Sequence, residues 1–271
     1  MQVKDILRLN YLAVSPDDTL SFVFGKLGRG KHTEAVVLDN KGYYAGMVWK
    51  RALIRSRVDP AETKVRKFVG KPAALALDMT LERAAMLMHN SDFHVLPVLD
   101  KKVLLGIVGA RDVLDELSGK LKGMKADEVG TMKLNVLTED DSIGKAVSLF
   151  SDKRIDHAPV VDKAGKLVGV VSVVDLLTKY LISARGALSG RHGKHGRTSK
   201  SGQDPGERPS FELLPVGNIM ERIVVTASPK TSASEIIRLI HDNGISAVVL
   251  VSDNEPVGIV TTKDLLYEVA R

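Results

Sequence analysis

The chain has 271 residues, of which 44% are hydrophobic and 27% are charged, a balance typical of folded globular proteins. It contains no cysteine, which excludes disulfides, thiolate nucleophiles and thiolate metal ligands. No stretch approaches the roughly 18 uncharged apolar residues of a membrane span, and no signal peptide is predicted at the N-terminus. We therefore expect a cytoplasmic protein that does not enter a membrane.

A short motif recurs four times along the chain. Gly46, Gly106, Gly169 and Gly258 open the stretches GMVWKRA, GIVGARD, GVVSVVD and GIVTTKD, and these glycines lie 60, 63 and 89 residues apart. Self-similarity of this kind indicates an internal repeat, and the longest interval is explained by one insertion. The sequence therefore divides into unit 1 (residues 3–55), unit 2 (65–118), unit 3 (125–182), an insertion (183–213) and unit 4 (214–271).

Each unit predicts the same order of elements. Unit 1 is the most divergent, but it keeps two paired strands and a helix that Ser15 or Asp18 could cap. Units 2 and 3 repeat the pattern more clearly. Unit 4 shows it best: a strand over 223–227, a helix that starts at Ser232 with Glu235 in a capping box and stops at Gly244, two apolar strands, and a closing helix. The predicted fold is α/β (α+β), with the order strand, helix, strand, strand, helix in every unit.

With four copies of this pattern, the chain resembles a protein built of four CBS domains, similar to the stand-alone CBS proteins of archaea. The resemblance implies that unit 1 pairs with unit 2 and unit 3 with unit 4, giving two Bateman modules that can close into a flat disc. A unit of about 55 residues buries little surface alone, which also favours pairing. A monomer and a homodimer are both compatible with this arrangement.

The joint between the last strand and the last helix of each unit is the predicted ligand site. Glycine at the strand end would let a ligand approach the backbone, and the helix N-terminus attracts anions. In the CBS family the hydroxyl three residues after this glycine contacts phosphate, and the carboxylate three residues further on binds both ribose hydroxyls. The resemblance thus implies an adenosyl ligand, of the AMP, ADP, ATP or S-adenosylmethionine type, and no other cofactor.

The hydroxyl and the carboxylate are both present in only two units. Unit 4 has Thr261 and Asp264, and unit 3 has Ser172 and Asp175. For each aspartate the alternative is a purely structural role, because an acidic residue in the first turn of a helix also caps it and interacts with the helix dipole.

The other two units have lost one or both groups. In unit 2 Asp112 remains but Gly109 replaces the hydroxyl, and Arg111 is a candidate for a substitute phosphate contact. In unit 1 Trp49 and Ala52 replace both groups, and an indole would fill the space that a ribose phosphate needs. We expect the joint of unit 1 to be structural only.

The family resemblance also implies residues that line the adenine pocket, from the first strand of a unit and from the residues before its second strand. They are Asn135, Val136, Asp156, His157 and Ala158 in unit 3, and Ile223, Val224, Ser246 and Ala247 in unit 4.

The insertion is basic and rich in glycine, and its residues 183–210 carry +4 of the chain's formal charge of +6. It is either a solvated linker or a tether that follows the phosphates of structured RNA or ribosomal subunits. The second alternative resembles archaeal CBS proteins that dock on ribosomal subunits and silence them. Its candidate contacts are Arg185, Arg191, Lys194, Arg197, Lys200 and Arg208, whereas His192 and His195 alone do not predict a metal site.

The sequence distinguishes between three classes of function. An enzyme is not expected, because no unit presents a nucleophile with a base, a paired-carboxylate cleft or a phosphate loop with its lysine. A regulatory protein that senses an adenosyl ligand through units 3 and 4 is the leading prediction. A ribosome- or RNA-binding factor is the alternative, and nucleotide gating would make the two compatible.

Overall fold

The computed structural model describes residues 1–29, 34–49, 61–91, 93–176 and 211–271. Within these ranges every unit contains a hairpin of two antiparallel strands and a helix before it. The elements of unit 1 are β1 (Ala13–Val14), α1 (Leu20–Arg29), β2 (Glu34–Leu38) and β3 (Tyr44–Trp49). Those of unit 2 are α2 (Leu81–His89), β4 (Val95–Asp100), β5 (Val103–Gly109) and α3 (Ala110–Leu117).

Units 3 and 4 repeat the same order. Unit 3 contains α4 (Ala126–Val129), β6 (Leu137–Thr138), α5 (Ile143–Lys153), β7 (His157–Val161), β8 (Leu167–Ser172) and the start of α6 at 173–176. Unit 4 contains β9 (Thr226–Ala227), α7 (Ala233–Asp242), β10 (Ala247–Ser252), β11 (Glu255–Thr261) and α8 (Thr262–Ala270). Short 3-10 turns lie at Val3–Ile6, Val65–Phe68, Ser118–Leu121, Phe211–Leu213 and Val216–Asn218.

The four sheets share one topology. A short first strand runs parallel to the middle strand, and the middle strand pairs antiparallel with the third. Unit 2 keeps the first pairing as a single parallel bridge between Leu75 and Val98. Each hairpin has a register shift at the same place, next to Gly46, Gly106, Gly169 or Gly258. The predicted α/β fold class is confirmed, and unit 1 shares the register of the others.

Details of the helix caps and the first strand differ from the sequence-based expectations. Thr19 caps α1 by accepting a hydrogen bond from the N–H of Phe22. Ser15 and Asp18 bond to each other before the helix begins: the N–H of Ser15 donates to Oδ2 of Asp18, and the N–H of Asp18 donates to the carbonyl oxygen of Ser15. The hydroxyl of Ser232 does cap α7, but the carboxylate of Glu235 pairs with Arg238 and does not complete a capping box. The first strand of unit 4 is limited to two residues.

The units pair by exchanging the segments that precede them. We call residues 2–8, 64–70, 125–131 and 215–221 the lead segments. The lead segment of unit 1 lies on the last strand of unit 2, where Arg8 and Ile107 exchange two backbone hydrogen bonds of 2.9 Å. The lead segment of unit 2 returns to unit 1 in the same way, and units 3 and 4 are joined by the equivalent exchange. The predicted pairs 1–2 and 3–4 are confirmed.

The repeated glycines lie where the lead segments cross the strands. A Cβ on Gly106 would lie 2.6 Å from the carbonyl oxygen of Arg8, and one on Gly46 would lie 2.6 Å from that of Gly70. On Gly169 it would lie 2.6 Å from the sulfur of Met220, and on Gly258 2.6 Å from the sulfur of Met132, just after the lead segment. At Gly46 and Gly106 the backbone of the crossing segment therefore makes a close approach that requires glycine, a role that the sequence analysis assigned to a ligand.

Two cores connect the pairs. One contains the buried residues of units 2 and 4, and α2 and α3 pack there against α7 and α8. The other contains most of the buried residues of units 1 and 3. Unit 1 is joined to unit 2, and unit 3 to unit 4, by the lead segments. Unit 2 is joined to unit 4, and unit 1 to unit 3, by the shared cores. The four units therefore form a closed ring of contacts. In the described part of the chain, no helix is both long and apolar enough to cross a membrane.

Replacing Gly106 with alanine should destabilise the fold by about 1–3 kcal/mol, because the new methyl group would overlap the backbone of the crossing segment, which cannot rotate away. Urea unfolding measures this change. Gly119→Ala is the matched control, since a Cβ there meets nothing within 4 Å, and it should change stability by less than about 0.5 kcal/mol. Equal stabilities of the two variants would contradict the crossing argument.

Candidate functional site

In unit 4 the predicted hydroxyl and carboxylate meet at the end of β11. Thr261 precedes the first residue of α8, and its N–H and hydroxyl donate to Oδ2 of Asp264 over 2.8 and 2.7 Å. The N–H of Asp264 donates in return to Oγ1 of Thr261 over 3.4 Å. Helix α8 buries Thr262, Leu265 and Leu266, which fixes the pair at the surface of the joint.

Unit 3 builds the same arrangement. The N–H and hydroxyl of Ser172 donate to Oδ2 of Asp175 over 2.8 and 2.6 Å, and the N–H of Asp175 donates to Oγ of Ser172 over 3.2 Å. Both side chains are partly buried. The two joints with the complete pair of groups are therefore near copies of each other.

Both aspartates take the structural role that the sequence left open, because each pair forms a capping box at a helix start. In both boxes the bonds to the carboxylate fall on Oδ2. The second oxygen, Oδ1, takes no part in either box. Capping therefore fixes the orientation of the carboxylate without using both of its acceptor atoms.

Electrostatics distinguish Asp264 from an ordinary capping residue. A carboxylate at a helix N-terminus usually has a lowered pKa, because the backbone N–H groups favour its charge. Burial instead raises the pKa of Asp264, and the hydrogen bonds from Thr261 and the charge of His89 only partly oppose the rise. The fold thus places a carboxylate where desolvation disfavours its ionised form.

The joint of unit 2 is occupied by a side chain that sequence analysis missed. Asp112 caps α3 by accepting the N–H of Gly109, and Nη1 of Arg8 lies 3.4 and 3.5 Å from its two oxygens. Arg111, the expected phosphate partner, instead donates to the carbonyl oxygen of Ile245 in unit 4 over 3.0 Å. The cation next to Asp112 comes from the exchanged lead segment, so only knowledge of that exchange could have found it.

In unit 1 the side chain of Trp49 lies beside the crossing segment. Its ring is 4.5 Å from the ring of Phe93, and a Cβ on Gly70 would overlap it. The indole therefore fills the space between units 1 and 2 at this joint. Ala52, the second replacement, lies outside the described residues.

The residues expected to line the adenine pockets of units 3 and 4 partly come together. Nε2 of His157 and Oγ of Ser246 form a 3.0 Å hydrogen bond, so the two sets meet between the paired units. Ile223 is 86% exposed and Val136 is 44% exposed, which leaves apolar surface next to the joints. Ala158 is fully buried in the core of units 1 and 3 and offers no surface to a ligand. The others are partly buried: Asn135, Asp156, Val224 and Ala247.

His157 lies at the contact of units 3 and 4, where it is bonded to Ser246. Burial lowers the pKa of His157 to about 4, with a further decrease from His94 and an opposing effect of Asp156. The ring is therefore neutral at neutral pH. In the equivalent contact of units 1 and 2, the backbone N–H of His94 donates to Oε1 of Glu34 over 2.9 Å.

The candidate RNA contacts of the insertion, from Arg185 to Arg208, lie outside the described residues, as do His192 and His195. The expectation that the insertion binds RNA or ribosomal subunits stays a prediction. Among the side chains that the structure does describe, no group of three or more His, Asp or Glu is arranged to hold a metal ion.

Comparison with known proteins identifies the family. Residues 65–119, 126–182 and 216–271 each match the CBS domain model, which together is more than half of the chain. The chain belongs to the CBS domain family. The matched segments coincide closely with units 2, 3 and 4, and unit 1 lies outside them.

Two archaeal relatives extend over nearly the whole CBS protein. It is 26% identical to an uncharacterised protein of Methanocaldococcus jannaschii over 275 residues, which cover 99% of this chain and 62% of that protein. It is 25% identical to an uncharacterised 33.4 kDa protein in the ribosomal RNA operon of Thermofilum pendens, over 96% of this chain and 88% of that one. The chain thus spans less than two thirds of the length of the first relative.

Solved structures show that the whole arrangement of this CBS protein recurs. Protein MJ1225 from Methanocaldococcus jannaschii superposes with a TM-score of 0.79 at 18% identity, covering 98% of this chain and 99% of that one. A conserved protein from Pyrococcus horikoshii gives a TM-score of 0.64 at 21% identity, over 99% and 100% of the two chains. At these identities the likeness establishes the fold.

The raised pKa of Asp264 leads to a test by stability. A raised pKa in the folded state means that the group contributes stability below its unfolded pKa, and that this contribution is lost as pH rises through the folded value. Asp264→Asn removes the charge but keeps an acceptor oxygen for Thr261. The variant should therefore gain stability over the native chain at pH 7, and the gain should shrink towards pH 4, as measured by urea unfolding.

Asp112→Asn is the matched control for this experiment, because Arg8 compensates the charge of Asp112 at a partly exposed position. Losing that ion pair should cost less than about 1 kcal/mol at pH 7. An Asp264→Asn variant that is less stable than the native chain at pH 7 would show that burial is not the dominant influence on this carboxylate.

Proposed function

We propose that the chain is a non-catalytic regulatory protein that binds an adenosyl ligand, such as AMP, ADP, ATP or S-adenosylmethionine, at the joints of units 3 and 4. Membership of the CBS domain family supports the class of function. The proposal includes unit 1 as a fourth, degenerate CBS repeat, since residues 13–49 share the sheet order and register of the other units.

The observation that carries this proposal is the partly buried carboxylate of Asp264. Capping alone does not require a carboxylate in a place where burial raises its pKa. A carboxylate whose pKa is shifted by desolvation, and which has specific hydrogen-bond partners, is a candidate binding residue. An ionised carboxylate offers acceptor atoms to two hydroxyls at once, which matches the 2′- and 3′-hydroxyls of a ribose.

The hydrogen bonds of the joint suggest how the sugar and the phosphate are bound together. The hydroxyl of Thr261 has one hydrogen, and without ligand it donates that hydrogen to Oδ2 of Asp264. Donation to a phosphate requires the hydroxyl to turn away from the carboxylate. Oδ2 then regains an acceptor site for a ribose hydroxyl, so phosphate contact and ribose contact support each other. Ser172 and Asp175 provide the same exchange in unit 3.

Units 1 and 2 differ from this arrangement in ways that oppose binding. Trp49 fills the joint of unit 1. In unit 2 Arg8 is paired with Asp112, and Gly109 supplies no hydroxyl. A ribose at Asp112 would have to compete with the guanidinium. The proposed stoichiometry is therefore two ligands for each chain.

Isothermal titration calorimetry with AMP, ADP, ATP and S-adenosylmethionine tests the two sites. For the ligand that binds, Asp175→Ala and Asp264→Ala should each remove one equivalent, because each deletes a charge-assisted pair of bonds worth roughly a 10- to 100-fold change in affinity. The double variant should bind none. Asp152→Ala, an exposed aspartate on α5, is the control and should bind two. Unchanged binding by the double variant would refute the proposal.

Replacing Thr261 with valine tests the exchange of the hydroxyl. In the Asp175→Ala background, which leaves only unit 4, the variant should lose about 10-fold or more in AMP affinity and much less in adenosine affinity. Ser232→Ala removes the cap of α7 and controls for a general loss of helix stability, so it should leave both affinities unchanged. An equal loss for both ligands in Thr261→Val would contradict a phosphate contact.

A further inference from the structure

His89 connects unit 2 to the ligand joint of unit 4. It is the last residue of α2, and its Nδ1 lies 3.0 Å from the carbonyl oxygen of Lys263, the residue before Asp264. Its ring lies 5.0 Å from the ring of Tyr267, one turn further along α8. The two units belong to different pairs, so this contact crosses from one pair to the other.

The partner of His89 fixes the position of one proton. A carbonyl oxygen only accepts hydrogen bonds, so Nδ1 must carry a hydrogen. This holds for the neutral ring with its hydrogen on Nδ1 and for the protonated ring. The direction of the bond is therefore fixed: the ring of His89 donates and the first turn of α8 accepts.

The contact acts on the part of unit 4 that holds the proposed ligand. Lys263 is in the first turn of α8, between Thr262 and the capping carboxylate. A bond to its carbonyl restrains that turn from outside the helix. The charge of His89 also reaches Asp264, where it opposes the effect of burial. The hydrogen bond from His89 and the charge of its ring thus both act on the carboxylate of Asp264.

Within the described part of the chain, the equivalent residues of units 4 and 1 do not reproduce this contact. His89 lies nine residues after the cap Thr80, and nine residues after the caps of α7 and α1 stand His241 and Gly28. His241 approaches Asp115 of α3, with Nε2 and Oδ2 separated by 3.8 Å. Gly28 carries no side chain. Unit 3, whose joint otherwise copies that of unit 4, is therefore an internal reference.

We propose that His89 is a positioning residue for the adenosyl site of unit 4, because its bond to Lys263 holds the first turn of α8, and with it Asp264, in the geometry that binds the ligand. The proposal rests on the proposed function of the joint. Through His89 the second unit of one pair would control the ligand affinity of the other pair.

Single-site variants allow each joint to be measured alone with AMP by calorimetry. Asp175→Ala leaves unit 4, and Asp264→Ala leaves unit 3. The effect of a His89 substitution on the affinity of unit 4 can therefore be compared with its effect on the affinity of unit 3.

Two substitutions test the hydrogen bond itself. The amide of His89→Asn can donate to Lys263 from nearly the place of Nδ1, so this variant should keep the affinity of unit 4. His89→Leu removes the donor and should lower the affinity of unit 4 several-fold without affecting unit 3. The proposal is overturned if His89→Leu leaves unit 4 unchanged, or if His89→Asn lowers its affinity as much as His89→Leu does.

Hydrogen exchange provides a test without any ligand. His89→Leu should speed amide exchange in residues 262–268, and His89→Asn should not. If no variant binds AMP but this pattern of exchange appears, the proposed function of the joint has failed while the restraint by His89 stands. If His89→Leu leaves the exchange of α8 unchanged, the positioning role is refuted whatever the ligand results are.

Discussion

At four places a strand carries a glycine, and another segment of the same chain occupies the space that a Cβ there would need. This close crossing sets the rest of the architecture. Because the lead segment of one unit passes over the strand of its partner at the glycine, the two hairpins are held in a fixed relation, with two backbone hydrogen bonds at each crossing. The ligand joints lie three residues further along those strands, so their geometry depends on the same crossings.

The crossings also explain why the joint is retained where its ligand groups are lost. In unit 1 a tryptophan replaces the hydroxyl, yet Gly46 remains because the backbone of Gly70 occupies the space next to it. In unit 2 the hydroxyl is gone, but Gly106 remains beneath Arg8 for the same reason. The glycine belongs to the assembly of the pair, and the hydroxyl and carboxylate belong to the site. These two requirements can therefore change independently.

Much of the fold could be predicted from sequence, because the signals that specify it are local and repeated. Four glycines at similar spacing, helical faces such as Ile236, Ile237 and Ile240, and the stop at Gly244 define the units. The joint pairs Thr261–Asp264 and Ser172–Asp175 could also be found, because each lies within four residues. What sequence could not give are contacts between distant segments: Arg8 on Asp112, Arg111 on Ile245 and His89 on Lys263 are separated by about a hundred residues or more.

Because the lead segments are exchanged, each unit of a pair covers part of the sheet of the other. A single unit cut from the chain would lose the partner's lead segment that covers its sheet. Its own lead segment would have no strand to pair with. The smallest fragment in which every hairpin is covered is therefore one exchanging pair, units 1 and 2 or units 3 and 4, together with both of its lead segments. Any rearrangement of the gene that preserves folded protein would have to move this piece as a whole.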